Sequence, residues 1–155
     1  MPTVRPATEA DLDALAGMGD TLARQHHDYD AGRFLYDAGF REGYRWWFGR
    51  ELGRDEVFLG VVDGKEGPAG YLYGRLEGKD WNALLEAHAA LVDVFVRPDE
   101  RGSGVGEALV EAFCAWAAAR GFPQVVLSTA TQNAGAQRLF AKLGFRPTMV
   151  ELTRG

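Results

Sequence analysis

The stretch Leu91-Val92-Asp93-Val94-Phe95-Val96-Arg97-Pro98-Asp99-Glu100-Arg101-Gly102-Ser103-Gly104-Val105-Gly106 decides the fold. Residues 90–96 are apolar except for Asp93, as in a strand buried on both faces. Arg97-Pro98 ends that strand, because proline lacks the donor a sheet ladder needs. A glycine-rich turn follows and opens a helix over 104–120. Its stripe Val105, Ala108, Leu109, Ala112, Phe113, Trp116 and Ala117 falls at core-facing helical spacing. Gly121 stops it.

Upstream, 4–7 reads as a short strand. Thr8 starts a helix, with Asp11 placed as in a capping box. Leu12, Leu15, Ala16, Gly19, Leu22, Ala23 and His26 continue it at helical spacing. Residues 33–52 are rich in aromatics and predict one or two helices. Strands are expected over 56–62 and 69–77, joined through Asp63-Gly64-Lys65-Glu66-Gly67-Pro68 as a hairpin. Residues 78–88 form a loop or short helix carrying Trp81. Downstream, 124–129 is a strand and 134–143 a helix with stripe Ala136, Leu139, Phe140 and Leu143. Gly144 stops that helix, and 145–152 is the final strand. The order is β-α-α-β-β-β-α-β-α-β, an α/β (α+β) arrangement expected to form one domain over 1–155. The alternating second half predicts some parallel pairing, and a mixed sheet with helices on both faces satisfies the pattern.

A chain of 155 residues buries roughly 70% of its unfolded surface without staples. Cys114 is the only cysteine, so no internal disulfide forms, and a reducing cytoplasmic setting is the natural reading. The start Met-Pro-Thr-Val-Arg has no signal-peptide character. No run approaches the ~18 apolar residues that span a bilayer. A net charge of −5 argues against nonspecific nucleic-acid binding, which needs a basic footprint. It suits a cationic substrate, although mild acidity also serves solubility.

The turn Arg101-Gly102-Ser103-Gly104-Val105-Gly106 has a chemical reading. Glycines allow close backbone approach and positive φ. A helix start offers unpaired N–H groups and the positive end of the dipole. Together they make an anion site suited to a pyrophosphate, with Arg101 adding charge. A dinucleotide fingerprint would need glycine where Glu107 stands, and the Gly-Lys-Ser/Thr of a P-loop is absent. The plain alternative is a tight strand-to-helix turn with no ligand.

Arg101, Gly104 and Gly106, at the start of a helix after a strand ending near a proline, form one motif. Asn133, Ala136, Leu139, Phe140, Gly144 and Phe145 form a second. In both, and in the spacing between them, the chain resembles the GCN5-related N-acetyltransferase (GNAT) superfamily. That resemblance implies a mixed, mostly antiparallel sheet of about six to seven strands flanked by about four helices. It implies acetyl-CoA as cosubstrate, no metal, and acetyl transfer to a primary amine by direct attack in a ternary complex. Val94, Phe95 and Val96 would pair through their backbones with the pantetheine arm, admitted by a splay from strand 124–129. The N–H near Phe95 would face the thioester oxygen as an oxyanion donor. Arg101, Gly102, Ser103, Gly104, Val105 and Gly106 would hold the pyrophosphate, flanked by Glu107 and Ala108. Asn133, Ala136 and Phe140 would contact the cofactor from the other side. The family often has tyrosine, the usual proton donor to the departing thiolate, where this chain has Phe140. Another donor or water then serves, or the thiolate leaves unprotonated, tolerable for a thiol of pKa near ~8.5. Ser128, Thr129 and Thr131 lie nearby in sequence.

Asp93 is open to three readings: a general base acting through water, a counter-ion that positions the amine, or a structural hydrogen-bond acceptor. The resemblance places the acceptor site between the first two helices, the central strands and the final hairpin. There His26, His27, Asp28, Tyr29, Asp30, Phe34, Tyr73 and Trp81 offer an aromatic and acidic lining for a cation. His26 and His27 are no metal pair, since adjacent helical residues point apart. Trp46 and Trp47 read as packing or a dimer contact, and a homodimer is the commonest assembly for such proteins. The acceptor is read as a small molecule of polyamine, amino-acid or aminosugar type. The competing readings are a protein or peptide N-acetyltransferase, a non-catalytic acyl-CoA-binding module and a nucleotide-binding domain.

Overall fold

Period-2 alternation along the strands separates two cores. In the computed structural model, which describes Met1–Gly155, Val61, Tyr71, Tyr73 and Phe95 face one side of a central sheet. Val62, Leu72 and Leu91 face the other. This is the consequence of side chains pointing alternately across a pleated strand. The elements run β1 (Val4–Pro6), α1 (Leu12–Tyr29), α2 (Phe40–Glu51), β2 (Val57–Gly64), β3 (Gly67–Glu77), β4 (His88–Val96), α3 (Val105–Ala119), β5 (Val125–Val126) and α4 (Ala134–Lys142). Five strands lie in the order β1-β2-β3-β4-β5. All pairs are antiparallel except β4 with β5, which is parallel.

Helices α1 and α2 cover one face, where Leu15, Met18 and Phe48 pack on the two tyrosines. Helix α3 covers the other with Leu109, Val110 and Phe113, and Phe140 of α4 joins that core. Helix α3 lies very close to the sheet at Gly74, where a β-carbon would sit 2.3 Å from Phe113 Cε1. At the sheet edge, Arg5 donates to Asp11 at 2.8 and 2.9 Å and to Asp63 at 2.8 and 2.9 Å. The first residues of β1 are thereby tied to the entry of α1 and to β2. The Arg5 bonds hold the Asp11 carboxyl below its ordinary range.

A buried carboxylate closes the other end of α2. Glu51 accepts the Tyr73 hydroxyl at 2.7 Å and Arg54 Nη1 at 2.7 Å. Burial alone would push Glu51 up, but these two donors outweigh it and leave its pKa below the usual value.

The structure departs from the expected pattern in a few places. The turn after Thr8 is first a 3-10 turn over Glu9–Asp11, and segment 33–52 yields one helix preceded by a loop. The strand expected over 124–129 pairs only at Val125–Val126. The strand expected over 145–152 does not form, so the sheet has five strands rather than six or seven. Backbone groups from 146 onward make no backbone hydrogen bond, and Met149, Val150 and Leu152 are exposed. The physical reason is a missing neighbour: β5 offers two residues of edge, and Pro147 removes a donor. Trp47 packs on Tyr73 with ring centroids 4.3 Å apart, whereas Trp46 is 63% exposed with the Arg50 guanidinium above its ring. No helix is long and apolar enough to cross a membrane.

Replacing Tyr73 by phenylalanine leaves the buried Glu51 oxygen without its donor. The expected result is a loss of about 1–3 kcal/mol in unfolding free energy, read by urea denaturation at neutral pH. Glu51, held below its unfolded pKa, contributes stability above that unfolded value and loses it as pH falls. The gap between variant and parent therefore narrows in acid.

Candidate active site

Strand β4 changes character halfway along. Tyr73 pairs with Asp93 and Gly74 with Leu91, so Val92 is an extra residue, a β-bulge that kinks the strand and re-aims the residues after it. On the other side, β4 pairs with β5 only at Ala89–Val125 and Ala90–Val126. Beyond those pairs β4 has a free edge. Arg97 N–H donates to Ala69 O on β3, and groups alternate along a strand. Phe95 therefore points its N–H and C=O at β3, as the 2.6 Å approach of its carbonyl to a β-carbon built at Gly70 also indicates. Val94 and Val96 present theirs to the open side. This corrects the expected oxyanion donor: the Phe95 N–H is spent in the sheet ladder, and the Val94 N–H is the one available.

A cavity of about 270 Å³ opens at this divergence. Its floor is Leu91 to Val94; Ser128 and Thr129 follow from β5, and Asn133, Ala136 and Phe140 come from α4. The opposite wall is Leu22, Ala23 and His26 of α1, then Arg33, Phe34 and Leu35 of the following loop, with Phe40 and Tyr44 of α2. A shallower depression of about 350 Å³ beside α2 shares Phe40 and Tyr44 but reaches neither Asp93 nor the glycine turn.

Asp93 is the only carboxylate on the cavity wall. Burial pushes its pKa up, against a partial lowering by the Tyr71 hydroxyl, which donates to Oδ2 at 3.1 Å, and by the charge of His26. His26 is held by Nδ1 against Leu22 O at 2.8 Å, and its ring meets Phe34 edge-on at 5.1 Å. Tyr44 is also pushed up, by burial and then by Asp93, so its hydroxyl keeps its proton across the neutral range. The cavity thus holds a carboxylate inclined to take a proton and a phenol that does not lose one.

At the far end of β4, Gly102 and Gly104 adopt φ of 81° and 85°, the left-handed region that only glycine enters cheaply. The N–H groups of Gly102 through Glu107 have no hydrogen-bond partner elsewhere in the chain, and the helical ladder starts with Ala108 N–H to Gly104 O at 3.0 Å. This run of unpaired donors at the positive end of α3 has the make-up of a cradle that could hold an anion. Gly106 keeps it close to α4, since a β-carbon there would lie 3.2 Å from Leu139 Cδ2. Arg101 folds back, donating from Nε to Val96 O at 3.0 Å, and Ser103 donates its hydroxyl to Glu100 O. Glu107 pairs with Lys142 of α4 at 2.9 Å. Asn133 caps α4 by accepting Ala136 N–H at 3.1 Å.

The expected acceptor residues separate into two groups. His26 and Phe34 line the cavity. Tyr29 lies next to it, edge-on to His26 and bonded to Gln25. Tyr73 does not reach it: it is fully buried and committed to Glu51. Trp81 does not either, being 79% exposed in the loop before β4 with Lys79 over its ring. His27 donates from Nδ1 to Phe34 O, and Asp30 accepts Gly32 N–H, so both shape the loop. Arg33, Phe40 and Tyr44 on the cavity wall and Tyr71 behind Asp93 are positions that sequence reasoning missed. Phe40 and Tyr44 share a helical face at i, i+4, a signal that was present. Nothing local in the sequence marks Arg33 or Tyr71.

The chain is 30% identical over 147 residues to an uncharacterized N-acetyltransferase of Methanocaldococcus jannaschii, a match covering 92% of this chain and 60% of that protein. The chain thus spans less than two thirds of that relative. Among solved structures, a Bacillus halodurans protein superposes with a TM-score of 0.84 at 18% identity, covering 99% of both chains. An aminoglycoside N-acetyltransferase in complex with CoA superposes with a TM-score of 0.75 at 17% identity, covering 100% of this chain and 94% of that one. These likenesses establish the fold. The family model described as Acetyltransferase (GNAT) family matches residues 20–145, from within α1 through the bulged strand, the glycine turn and α4. On that match over most of its length, the chain belongs to the acetyltransferase (GNAT) family.

Proposed function

We propose that this chain transfers an acetyl group from acetyl-CoA to a primary amine of a small molecule, by direct attack in a ternary complex. The observation that carries the reading is a carboxylate of raised pKa, Asp93, in a small cavity at the point where β4 loses its neighbour. The pantetheine amides pair with Val94 and Val96 on the free edge, and the diphosphate lies in the cradle of 102–107. Asp93, directly or through one water, takes a proton from the incoming ammonium. The neutral amine attacks the thioester carbonyl, whose oxygen gathers charge beside the Val94 N–H. The C–S bond then breaks and the thiolate departs. Phe140 has no proton to give it, and Tyr44 holds its own too tightly, so water carries the second proton of the attacking nitrogen to the thiolate. A cavity of about 270 Å³ walled by α1, the 31–39 loop and α2 supports a small acceptor over a peptide, as does the aminoglycoside acetyltransferase of the same fold. The reading places the chain in the cytoplasm, where the lone thiol of Cys114, its pKa raised by burial and by Glu111, stays reduced.

Two measurements test this. In a thiol-release assay with acetyl-CoA and a panel of amines, Asp93→Asn lowers turnover by about 10²-fold or more and removes an acid limb of kcat/KM lying above the ordinary carboxylate range. An undiminished rate with the best acceptor removes Asp93 as the base. The same variant keeps or gains thermal stability at neutral pH. Because the folded state binds this proton more tightly than the unfolded chain, ionising Asp93 costs stability as pH rises from the unfolded pKa through the raised one. Separately, Gly104→Val forces a branched side chain into the left-handed region, and calorimetry should show its coenzyme A affinity reduced by about tenfold or more. Absence of any heat with the folded parent chain would end the acetyl-CoA reading.

A further inference from the structure

The cavity wall carries one guanidinium, that of Arg33, and one carboxylate, that of Asp93. Between them stand His26 and Phe34: His26 acts electrostatically on Asp93, its ring meets Phe34, and the Arg33 guanidinium lies 4.9 Å over the Phe34 ring. Arg33 already holds a carboxylate. Its Nε donates to Glu151 Oε2 at 2.6 Å and its Nη2 to Glu151 Oε1 at 2.9 Å, the side-on fork geometry by which arginine recognises a carboxylate. The segment bearing Glu151 has no backbone hydrogen bonds from 146 onward. The two side chains are 39% and 67% exposed. An exposed pair of this kind is weakly held, and an incoming carboxylate can exchange with it.

We propose that the acceptor is an amino acid or another amine bearing a carboxylate: its ammonium goes to Asp93, its carboxylate to the Arg33 fork, and Glu151 is the internal carboxylate it displaces. The inference rests on the acetyl-transfer reading given above and narrows its substrate class. A polyamine or an aminosugar of several positive charges would meet only Asp93 on the cavity wall and would make no use of the Arg33 fork. A zwitterion matches both charges of the cavity, its ammonium facing Asp93 and its carboxylate the Arg33 fork. Arg33 is then a specificity-determining residue and Glu151 a built-in competitor.

The test is steady-state acetyl transfer with α- and ω-amino acids of several chain lengths, each set beside its own carboxamide, so that only the carboxylate differs. The parent chain is expected to favour the acids through KM. Arg33→Gln should raise the acid-to-amide ratio of KM values by about tenfold or more, an effect a merely structural role would not produce, since it would move both members of each pair together. Glu151→Gln should lower KM for the acids about two- to fivefold with little effect on the amides. Equal use of acids and amides by the parent chain overturns the inference while leaving acetyl transfer intact, as does an unchanged ratio in Arg33→Gln. Absence of thiol release with every amine of either series overturns the acetyl-transfer reading itself, and this inference with it.

Discussion

The parting of β4 from β5 after Ala90 and Val126 is the constraint on which the rest of the molecule depends. A strand interior to a sheet normally has both rows of backbone groups paired. Here the bulge at Val92 and the early end of β5 leave one row of β4 without a neighbour. A buried N–H or C=O without a partner costs about 1–3 kcal/mol, so such an edge demands water or a ligand that can itself behave as a strand. In the proposed reaction the amides of a pantetheine arm would meet that demand.

Electrostatics follow from the same opening. The walls that close over the gap remove water from Asp93, and that loss of solvation, more than any neighbouring charge, is what raises its proton affinity. A carboxylate at its ordinary value would be a poor base for an ammonium at neutral pH, and one shifted upward is better matched. At the other end of β4, the N–H groups of 102–107 gather positive potential with little help from side chains, since Arg101 is turned back onto Val96. Negative charge is favoured at one end of the strand and positive charge at the other. An overall charge of −5 does not convey that polarity.

Much of this was legible in the chain. Glycines at 102, 104 and 106 between an apolar strand and an amphipathic helix are a local pattern, and local patterns survive folding. So did the isolation of Asp93 among apolar neighbours. What failed depended on partners far away in sequence. Segment 145–152 has the composition of a strand, yet a strand exists only beside an edge, and none of sufficient length is there. Tyr71 and Tyr73 look equivalent two residues apart, but one hydroxyl reaches Asp93 and the other Glu51, a distinction set by the packing of α2. Arg33 sits in a loop whose course over the cavity is decided by α1 and α2 together. Trp81 has the right chemistry for a cation, but its position on an exposed turn keeps it out of the cavity.

The contact between Gly74 and the Phe113 ring has a mechanical meaning. The ring occupies the volume a methyl group would need, so the spacing between α3 and the sheet is set by the steep repulsive wall of atomic overlap rather than by a shallow attraction. A joint of that kind is stiff in compression. Because the first turn of α3 carries the anion cradle, the cradle and the free edge of β4 form a single inflexible frame, and whatever adjustment the molecule makes to an acceptor falls to the 31–39 loop across the gap.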